Sequence, residues 1–212
     1  MRKVPFILPG VPLRPVEEGR PLLVVLAGPN GAGKTYFFEK RMAFSGLPFV
    51  NADLIKKQME ARGENVSDYE AAKIAETRRK EYVERRESFC FETVLSDKVG
   101  SKNRFFRDAQ KSGYAVYLLF IGLDDIQVSK ARVLHRVEKG GHDVPEHKLE
   151  DRFPRTFDNL HKAVGFVDQV VLIDNSSFDT PYRHVATCVS GQVVQLFPPV
   201  PPWARNILPK TR

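Results

Sequence analysis

The sequence predicts an α/β fold with a five-stranded, mainly parallel sheet flanked by helices. Five short apolar segments alternate with helical segments along most of the chain, and such alternation is typical of parallel sheets with right-handed crossovers. A glycine-rich turn follows the first apolar segment, and two β-rich runs around a Ser-Gly turn follow the last one. The chain of 212 residues is long enough for one well-buried domain and hardly long enough for two.

The predicted strands are short apolar runs bounded by turn residues. They cover 21–28, 47–53, 89–96, 114–123 and 167–174. The first one, "PLLVVLAG", is apolar throughout, as expected of a parallel strand that is buried on both faces. The β-rich runs over 183–197 predict a C-terminal β-hairpin.

The predicted helices lie between these strands. They cover 34–44, 67–88, 98–112, 124–139 and 147–163. The clearest of them opens with a capping box formed by Ser67 and Glu70. Without an internal repeat or a linker, we predict a single domain over 1–212 with a core over about 21–175. The Pro-rich end, 198–212, is predicted to be an arm or a loose tail.

Composition and charge restrict the class of protein. Hydrophobic residues make up 42% and charged residues 28% of the chain, which is typical of a soluble globular protein. No apolar run is long enough to span a bilayer, and prolines break the short apolar stretch at the N-terminus, so we expect neither a membrane anchor nor a secretory signal. Cys90 and Cys188 lack a CxxC partner, which favours reduced thiols in a cytoplasmic protein.

The net charge of +7 does not by itself indicate a nucleic-acid partner. The terminal segments 1–20 and 198–212 carry +2 and +3 of it, which leaves +2 for the central part. A nucleic-acid-binding domain usually concentrates its basic excess on a folded face. We therefore interpret the charge as that of soluble tails.

A glycine-rich loop follows the first predicted strand and precedes the first predicted helix. It fits the pattern GxxxxGK[ST], and this context makes the pattern a credible phosphate loop. Backbone N–H groups of such a loop turn inward and bind phosphate oxygens, and the helix N-terminus adds its dipole. We predict that ATP binds to the eight loop residues, which are Gly28, Pro29, Asn30, Gly31, Ala32, Gly33, Lys34 and Thr35. Lys34 is expected to reach the β- and γ-phosphates, and Thr35 to ligate Mg²⁺.

The same loop, "LAGPNGAGKT", also occurs in ABC-type ATPases. An ABC domain would carry a signature of the LSGGQ type and an apolar strand ending in Asp-Glu, and this sequence has neither. The sequence therefore favours a P-loop kinase fold.

Carboxylates lie at the carboxyl ends of the second and third predicted strands, where ligands collect in a doubly wound sheet. Asp53 is suited to accept the proton of an attacking hydroxyl; the alternative is an N-cap of the following helix, and both roles are compatible. Glu92 is suited to hold the water shell of Mg²⁺ or an acceptor sugar; the alternative is a solvated strand end.

Arginines flank a Gly-Gly break in the segment "RVLHRVEKGGHDVPEHKLEDRFPR". Arg132 and Arg136 lie four residues apart on one predicted helix, and Arg152 and Arg155 three apart on the next. This arrangement predicts an Arg-rich helical lid that closes on the transferred phosphoryl group and stabilises its developing charge. The alternative is an ordinary pair of charged helices.

With these motifs the chain resembles the zeta toxin family of P-loop kinases, the toxins of bacterial toxin–antitoxin pairs. The resemblance covers roughly 21–175 and rests on "GPNGAGKT", "VNADLI", "FETVLS", "RVEKGGHDVPE" and "RFPRTFDNLHKAVGFVDQVVLID". The last two segments are far more specific than the loop. The family uses ATP and Mg²⁺ to phosphorylate the 3′-hydroxyl of the amino sugar in UDP-N-acetylglucosamine.

The resemblance implies site residues and a partner. By motif, Asp53 would be the general base, and Glu92 and Thr93 would contact the substrate. Arg136, together with Arg152 or Arg155, would clamp the phosphates. A possible antitoxin would be a separate protein.

Three functions remain open at this point. The first is a zeta-like kinase of UDP-N-acetylglucosamine. The second is a kinase of another nucleotide, sugar nucleotide or small metabolite on the same fold, since the chain lacks the longer insertions of the longest family members. The third is a nucleotide-gated binding module. The lid arginines and Asp53 favour the two kinases, because a nucleotide switch needs neither.

Overall fold

A seven-stranded sheet lies at the centre of the protein in a computed structural model that describes residues 3–4 and 13–209. The prediction that prolines break the N-terminal apolar stretch falls mostly on residues outside this description. Lys210 and Arg212 of the basic C-terminal end also lie outside it.

The strands of the large sheet follow the predicted alternation. They are β3 (Leu22–Ala27), β4 (Phe49–Val50), β5 (Phe89–Thr93), β6 (Ala115–Gly122), β7 (Gln169–Asp174), β8 (Arg183–Val189) and β9 (Gln192–Leu196). Their order is β4-β5-β3-β6-β7-β8-β9. The first five run parallel, whereas β8 and β9 are antiparallel. The predicted α/β fold is thus confirmed, and its C-terminal hairpin extends the sheet.

One small sheet lies outside the sequence prediction. It pairs β1 (Lys3–Val4) with β2 (Val16–Glu17) in antiparallel register.

Helices flank the large sheet. They are α1 (Lys34–Phe37), α2 (Ala52–Glu60), α3 (Asp68–Arg85), α4 (Ser101–Lys111), α5 (Ile126–Glu138), α6 (Glu146–Val164) and α7 (Pro202–Arg205). The predicted helix over 34–44 continues past α1 as a π-helical turn, Phe38–Met42, and a 3₁₀ turn, Ala43–Ser45. The predicted capping box at the start of α3 is present. None of the described helices combines the length and apolarity needed to cross a membrane.

Alternate residues of β3 pack on opposite sides of the sheet. Leu23 and Val25 contribute to one apolar cluster and Val24 and Leu26 to another, and all four are fully buried. The continuous apolar run therefore corresponds to a central strand covered on both faces. This strand fixes the position of the loop at its carboxyl end.

The C-terminal segment is a packed arm rather than a loose tail. Trp203 is 8% exposed, and its ring lies 5.7 Å from that of Phe120 and 5.9 Å from that of Phe157. Its indole N–H donates to Asp174 Oδ1 at 3.2 Å. The backbone of Gly122 lies directly against the indole. A Cβ atom at this position would overlap the ring, so the close contact requires glycine.

Replacing Trp203 by alanine is expected to lower the free energy of unfolding by about 3–5 kcal/mol, because a buried indole leaves a cavity behind. Phe44→Ala is the control, since Phe44 is 59% exposed, and it should change stability by about 0.5 kcal/mol or less. Denaturation followed by circular dichroism measures both variants. Similar stabilities of the two variants would contradict the packed arm.

Candidate active site

The carboxyl ends of the parallel strands carry the polar residues that the sequence singled out. The phosphate loop joins β3 to α1, Asp53 lies in the first turn of α2, which follows β4, and Glu92 and Thr93 are the last two residues of β5. Parallel strands in this order bring these three segments to one edge of the sheet.

Lys34 lies inside the phosphate loop. It is 6% exposed, and its ammonium donates to the carbonyl oxygen of Pro29 at 3.0 Å. The ammonium also lies 3.7 Å from Glu92 Oε1. Burial lowers the pKa of Lys34, and the Glu92 carboxylate opposes this shift. Among the described residues, Glu92 is the one carboxylate within 4.0 Å of this ammonium, and a loosely paired cation of this kind suits the binding of phosphate.

Glu92 connects the loop to the neighbouring turn. Its Oε2 atom accepts from Thr35 Oγ1 at 2.8 Å and from Asn51 Nδ2 at 2.7 Å. A hydroxyl and a carboxylate oxygen therefore meet at the start of α1. Such oxygen ligands are those that Mg²⁺ prefers.

Asn51, and not Asp53, is the N-cap of α2. Asn51 has an extended backbone, and its Oδ1 atom accepts from the N–H groups of Asp53 at 2.8 Å and Leu54 at 3.2 Å. Asp53 lies in the first turn of the helix, so its carboxylate is not engaged in capping.

Two adjoining cavities meet at Asp53. The loop cavity has a volume of about 420 Å³ and is lined by residues of the phosphate loop together with Arg132 and Arg136. The strand-end cavity has a volume of about 470 Å³ and is lined by Thr93, Ser96, Asp97, Lys98 and Lys102 among others. Five residues line both cavities, namely Asp53, Glu92, Val94, His142 and Arg152.

The predicted lid arginines have different surroundings. Arg136 lines the loop cavity, and its Nη2 donates to the carbonyl oxygen of His142 at 2.7 Å. Its buried Nε has no hydrogen-bond partner among the residues that the structure describes. Arg152 lines both cavities. Arg155 instead donates to Ser96 O at 3.0 Å and to Asp151 Oδ1 at 2.8 Å, and it is not among the lining residues of either cavity.

Several residues at this edge were not singled out from the sequence. Asn51 links Glu92 to α2, and Ser129, Asn175 and Tyr182 contact the phosphate loop. An asparagine between a strand and a helix was a usable N-cap signal; the other three act through contacts distant in sequence. Arg132, which the sequence did place in the lid, lies in the loop cavity with its guanidinium 5.0 Å from the Phe178 ring.

Comparison with known proteins agrees with this geometry. The zeta toxin family model matches residues 13–184. The chain belongs to the zeta toxin family. It is therefore a phosphotransferase of the P-loop kinase class, and kinases of this class use ATP.

Solved structures share the fold of this chain. A chain in the crystal structure of AvrRxo1-ORF1:AvrRxo1-ORF2 with sulphate ions is 17% identical, with a TM-score of 0.67 over 92% of this zeta toxin homologue and 66% of that chain. This protein thus spans just under two thirds of that chain. The structure of the same pair with ATP gives 16% identity and a TM-score of 0.60, with the same coverages.

Two further similar chains come from Streptococcus pneumoniae and Haemophilus influenzae. A chain from the PezAT chromosomal toxin-antitoxin system of Streptococcus pneumoniae is 18% identical, with a TM-score of 0.59 over 80% of this protein and 72% of that chain. An uncharacterized protein of Haemophilus influenzae is 24% identical over 130 residues, which are 61% of this protein and 91% of the relative. At these identities the solved structures show a shared fold.

The different surroundings of Arg152 and Arg155 lead to a prediction. Arg152→Ala is expected to lower the kcat of phosphoryl transfer by about 100-fold or more, because its guanidinium faces the cavities where charge develops. Arg155→Ala, three residues away on the same helix, should lower it by less than about tenfold, since exposed ion pairs contribute little. Steady-state kinetics at saturating ATP measures kcat for both variants. Equal losses of kcat would mean that Arg155 also acts on the transferred phosphoryl group.

Proposed function

We propose that this zeta toxin homologue transfers the γ-phosphate of ATP to a hydroxyl of an acceptor bound in the strand-end cavity. The proposed acceptor group is the 3′-hydroxyl of the amino sugar of UDP-N-acetylglucosamine. The observation that carries the proposal is the junction of the two cavities, where Asp53 and Arg152 line both. A donor in one cavity and an acceptor in the other would meet at these two side chains.

The loop cavity suits ATP together with Mg²⁺. The loop supplies inward N–H groups and the buried Lys34 ammonium for the phosphates. Thr35 and Glu92 would hold the metal, since their oxygens already lie 2.8 Å apart at the helix start. A bound Mg²⁺ would neutralise charge on the β- and γ-phosphates.

The position of Asp53 at the junction of the two cavities supports a role as general base. Its carboxylate would take the proton of the acceptor hydroxyl while the hydroxyl oxygen bonds to the γ-phosphorus. The bond between that phosphorus and the β–γ bridging oxygen breaks, and ADP leaves. Arg136 and Arg152 would stabilise the charge that develops on the transferred group. Arg155 would contribute less directly, through its contact with Ser96.

The charges of the strand-end cavity favour an acceptor that carries phosphate. Among the described residues, the side chains of Lys98 and Lys102 have neither a hydrogen bond nor an ion pair within 4.0 Å. Burial, and then the charge of Arg79, lower the pKa of Lys102.

The carboxylates of the same cavity are mostly engaged already. Asp68 accepts from Lys56 Nζ at 2.7 Å, and Asp97 accepts from backbone N–H groups at the start of α4. Two lysine side chains of this cavity are therefore available to bind an anion, whereas Asp68 and Asp97 are already engaged and Asp53 is reserved for the acceptor hydroxyl. A diphosphate between a sugar and a nucleoside would compensate this excess, as would another phosphorylated acceptor.

Incubation with ATP and a panel of sugar nucleotides, nucleotides and simple sugars, followed by mass spectrometry of the products, tests the acceptor directly. Lys34→Ala is the matched negative control, because it removes the cation that binds the β- and γ-phosphates. Transfer to another phosphorylated acceptor would support the alternative kinase. ATP binding without transfer to any compound would favour a nucleotide-gated binding module.

We further propose that the protein is the toxin of a toxin–antitoxin pair whose antitoxin is a separate chain. Membership in the zeta toxin family and the likeness to a chain of the PezAT system support this proposal.

Asp53→Asn is expected to lower kcat by about 10²–10⁴-fold with little change in ATP affinity, because an amide cannot accept the proton of the hydroxyl. Glu60→Gln on the same helix is the control, since Glu60 lies at the other end of α2. Turnover and ATP binding are measured for both variants. A loss of ATP affinity with an unchanged kcat would assign Asp53 to metal binding or to the fold.

Lys102→Ala is expected to raise the KM for a phosphate-bearing acceptor by about tenfold or more, because a charge-assisted hydrogen bond is lost. The KM for ATP should stay the same, since Lys102 does not line the loop cavity. Lys111→Ala on the same helix is the control, because Lys111 is exposed and paired with Asp108. An unchanged acceptor KM in Lys102→Ala would contradict the anionic acceptor.

A further inference from the structure

Three side chains from outside the phosphate loop hold its carbonyl groups. Ser129 Oγ donates to Asn30 O at 2.7 Å, and Asn175 Nδ2 donates to Ala32 O at 2.9 Å. The hydroxyl of Tyr182 donates to Gly33 O at 2.9 Å, a carbonyl that also accepts from Phe37 N at 2.9 Å at the start of α1. The three donors come from α5 and from the segment between β7 and β8.

These bonds fix the direction of the N–H groups that bind phosphate. In a planar trans peptide the carbonyl oxygen and the next N–H point to opposite sides. Holding the carbonyls of Asn30, Ala32 and Gly33 outward therefore holds the N–H groups of the following residues inward. A rotated peptide would turn a carbonyl dipole toward the phosphates and would repel them.

We propose that Ser129, Asn175 and Tyr182 are positioning residues that keep the phosphate loop in its nucleotide-binding conformation before the nucleotide arrives. The geometric basis is the set of three outward carbonyl bonds. A loop that is already arranged avoids reorganisation when the anion binds.

Asn175 and Tyr182 form one rigid unit. Tyr182 N donates to Asn175 Oδ1 at 3.2 Å, and Asn175 N donates to Gly122 O at 3.1 Å. Tyr182 has a φ of 54°, a left-handed conformation that is disfavoured for a bulky side chain and that concentrates at functional sites. The strained backbone thus places both side chains against the loop.

The Tyr182 ring is also fixed in place. Its ring centroid lies 5.2 Å from that of Phe37, which is the last residue of α1 and is fully buried. Burial raises the pKa of Tyr182 to about 12. The hydroxyl consequently remains a protonated donor at neutral pH.

Ser129 links the loop to the helix that carries two of the arginines. It is 1% exposed, and a Cβ atom at Gly31 would lie 2.8 Å from Ser129 O and 3.2 Å from Arg132 Cβ. Gly31 has a φ of 72°, so glycine satisfies both the backbone conformation and the close approach of α5. The bond to Asn30 therefore positions α5 as well as the loop.

The proposal rests on nucleotide binding at the loop, which is part of the proposed function, but not on the identity of the acceptor. Because the loop N–H groups would contact phosphates that ATP and ADP share, the loss of a positioning hydrogen bond should lower the affinity for both nucleotides by the same factor. It should change kcat little, since equal binding of ground state and transition state leaves kcat unaltered.

Isothermal titration calorimetry with ATP and with ADP, without an acceptor, tests the proposal in Tyr182→Phe and Ser129→Ala. Each substitution removes a hydroxyl and leaves the packing nearly intact. We expect Kd values about 3- to 10-fold higher for both nucleotides, as the loss of one hydrogen bond predicts. Turnover by Tyr182→Phe at saturating ATP should stay within about twofold of the original protein, since Tyr182, unlike Ser129, does not lie on the helix that carries Arg132 and Arg136.

Tyr117→Phe is the matched control. Its hydroxyl also donates to a backbone carbonyl, that of Arg14 at 2.9 Å, but it does not contact the loop. This variant should keep the nucleotide affinities of the original protein. Thermal unfolding of the three variants separates a local effect on the loop from a general loss of stability.

Three results would overturn the proposal. One is nucleotide affinity within about twofold of the original protein in both loop-facing variants; another is an equal loss in Tyr117→Phe; the third is a lower kcat with unchanged affinities. If the original protein binds neither nucleotide, the proposed function fails as well. If it binds both but phosphorylates no acceptor in the panel, only the proposed function fails.

Discussion

The Glu92 carboxylate is the interaction on which the candidate site depends. It lies one residue before the end of β5, the strand between β3 and β4 in the sheet, and it accepts hydrogen bonds from Thr35 and Asn51 while lying 3.7 Å from the Lys34 ammonium. One side chain of β5 therefore connects the segments that follow β3 and β4. Asn51 in turn caps α2, which carries Asp53 in its first turn. The relative placement of Lys34 and Asp53 follows from this chain of contacts.

The electrostatics of this connection explain why the loop can hold a buried cation. Burial of an ammonium is unfavourable, and it lowers the pKa of Lys34. The carboxylate of Glu92 raises the pKa of Lys34 and so opposes the effect of burial, although it lies 3.7 Å from the ammonium and not at hydrogen-bond distance. The carboxylate of Asp53 raises the same pKa. The ammonium thus retains donors for phosphate oxygens. A tight ion pair would have to be broken before the phosphates could bind.

The sequence predicted those parts of the site that local patterns encode. The five parallel strands follow from their apolar runs, the loop from its glycines and Lys-Thr pair, and the positions of Asp53 and Glu92 from their place at strand ends. Helical spacing placed Arg152 and Arg155 near each other, but a separation of three residues did not decide which guanidinium faces the cavities. That choice depends on Asp151 and Ser96, which hold Arg155 elsewhere.

The parts that the sequence did not reveal depend on contacts between distant segments. In the sheet, β5 with Glu92 lies on one side of β3, and β6 and β7 lie on the other. The segments after β6 and β7 carry Ser129, Asn175 and Tyr182. Serine, asparagine and tyrosine occur in many turns and helices for local reasons. Only the fold brings them to carbonyl groups of one loop. The same holds for Trp203, whose Pro-rich surroundings gave no sign of a packed indole.

The contacts of α5 restrict how the predicted lid can move. Its first turns lie against the loop through Ser129 and Gly31, so Arg132 approaches the loop cavity from a fixed position. At the other end of α5, the guanidinium of Arg136 donates to the carbonyl oxygen of His142, which follows Gly140 and Gly141. His142 also lies 3.6 Å from Asp68 at the start of α3. Motion of this segment would therefore shift Arg136 and His142 together, while the arginine nearer to the loop stays in place. A lid built in this way would move Arg136 of the loop cavity and His142, which lines both cavities, relative to Arg132.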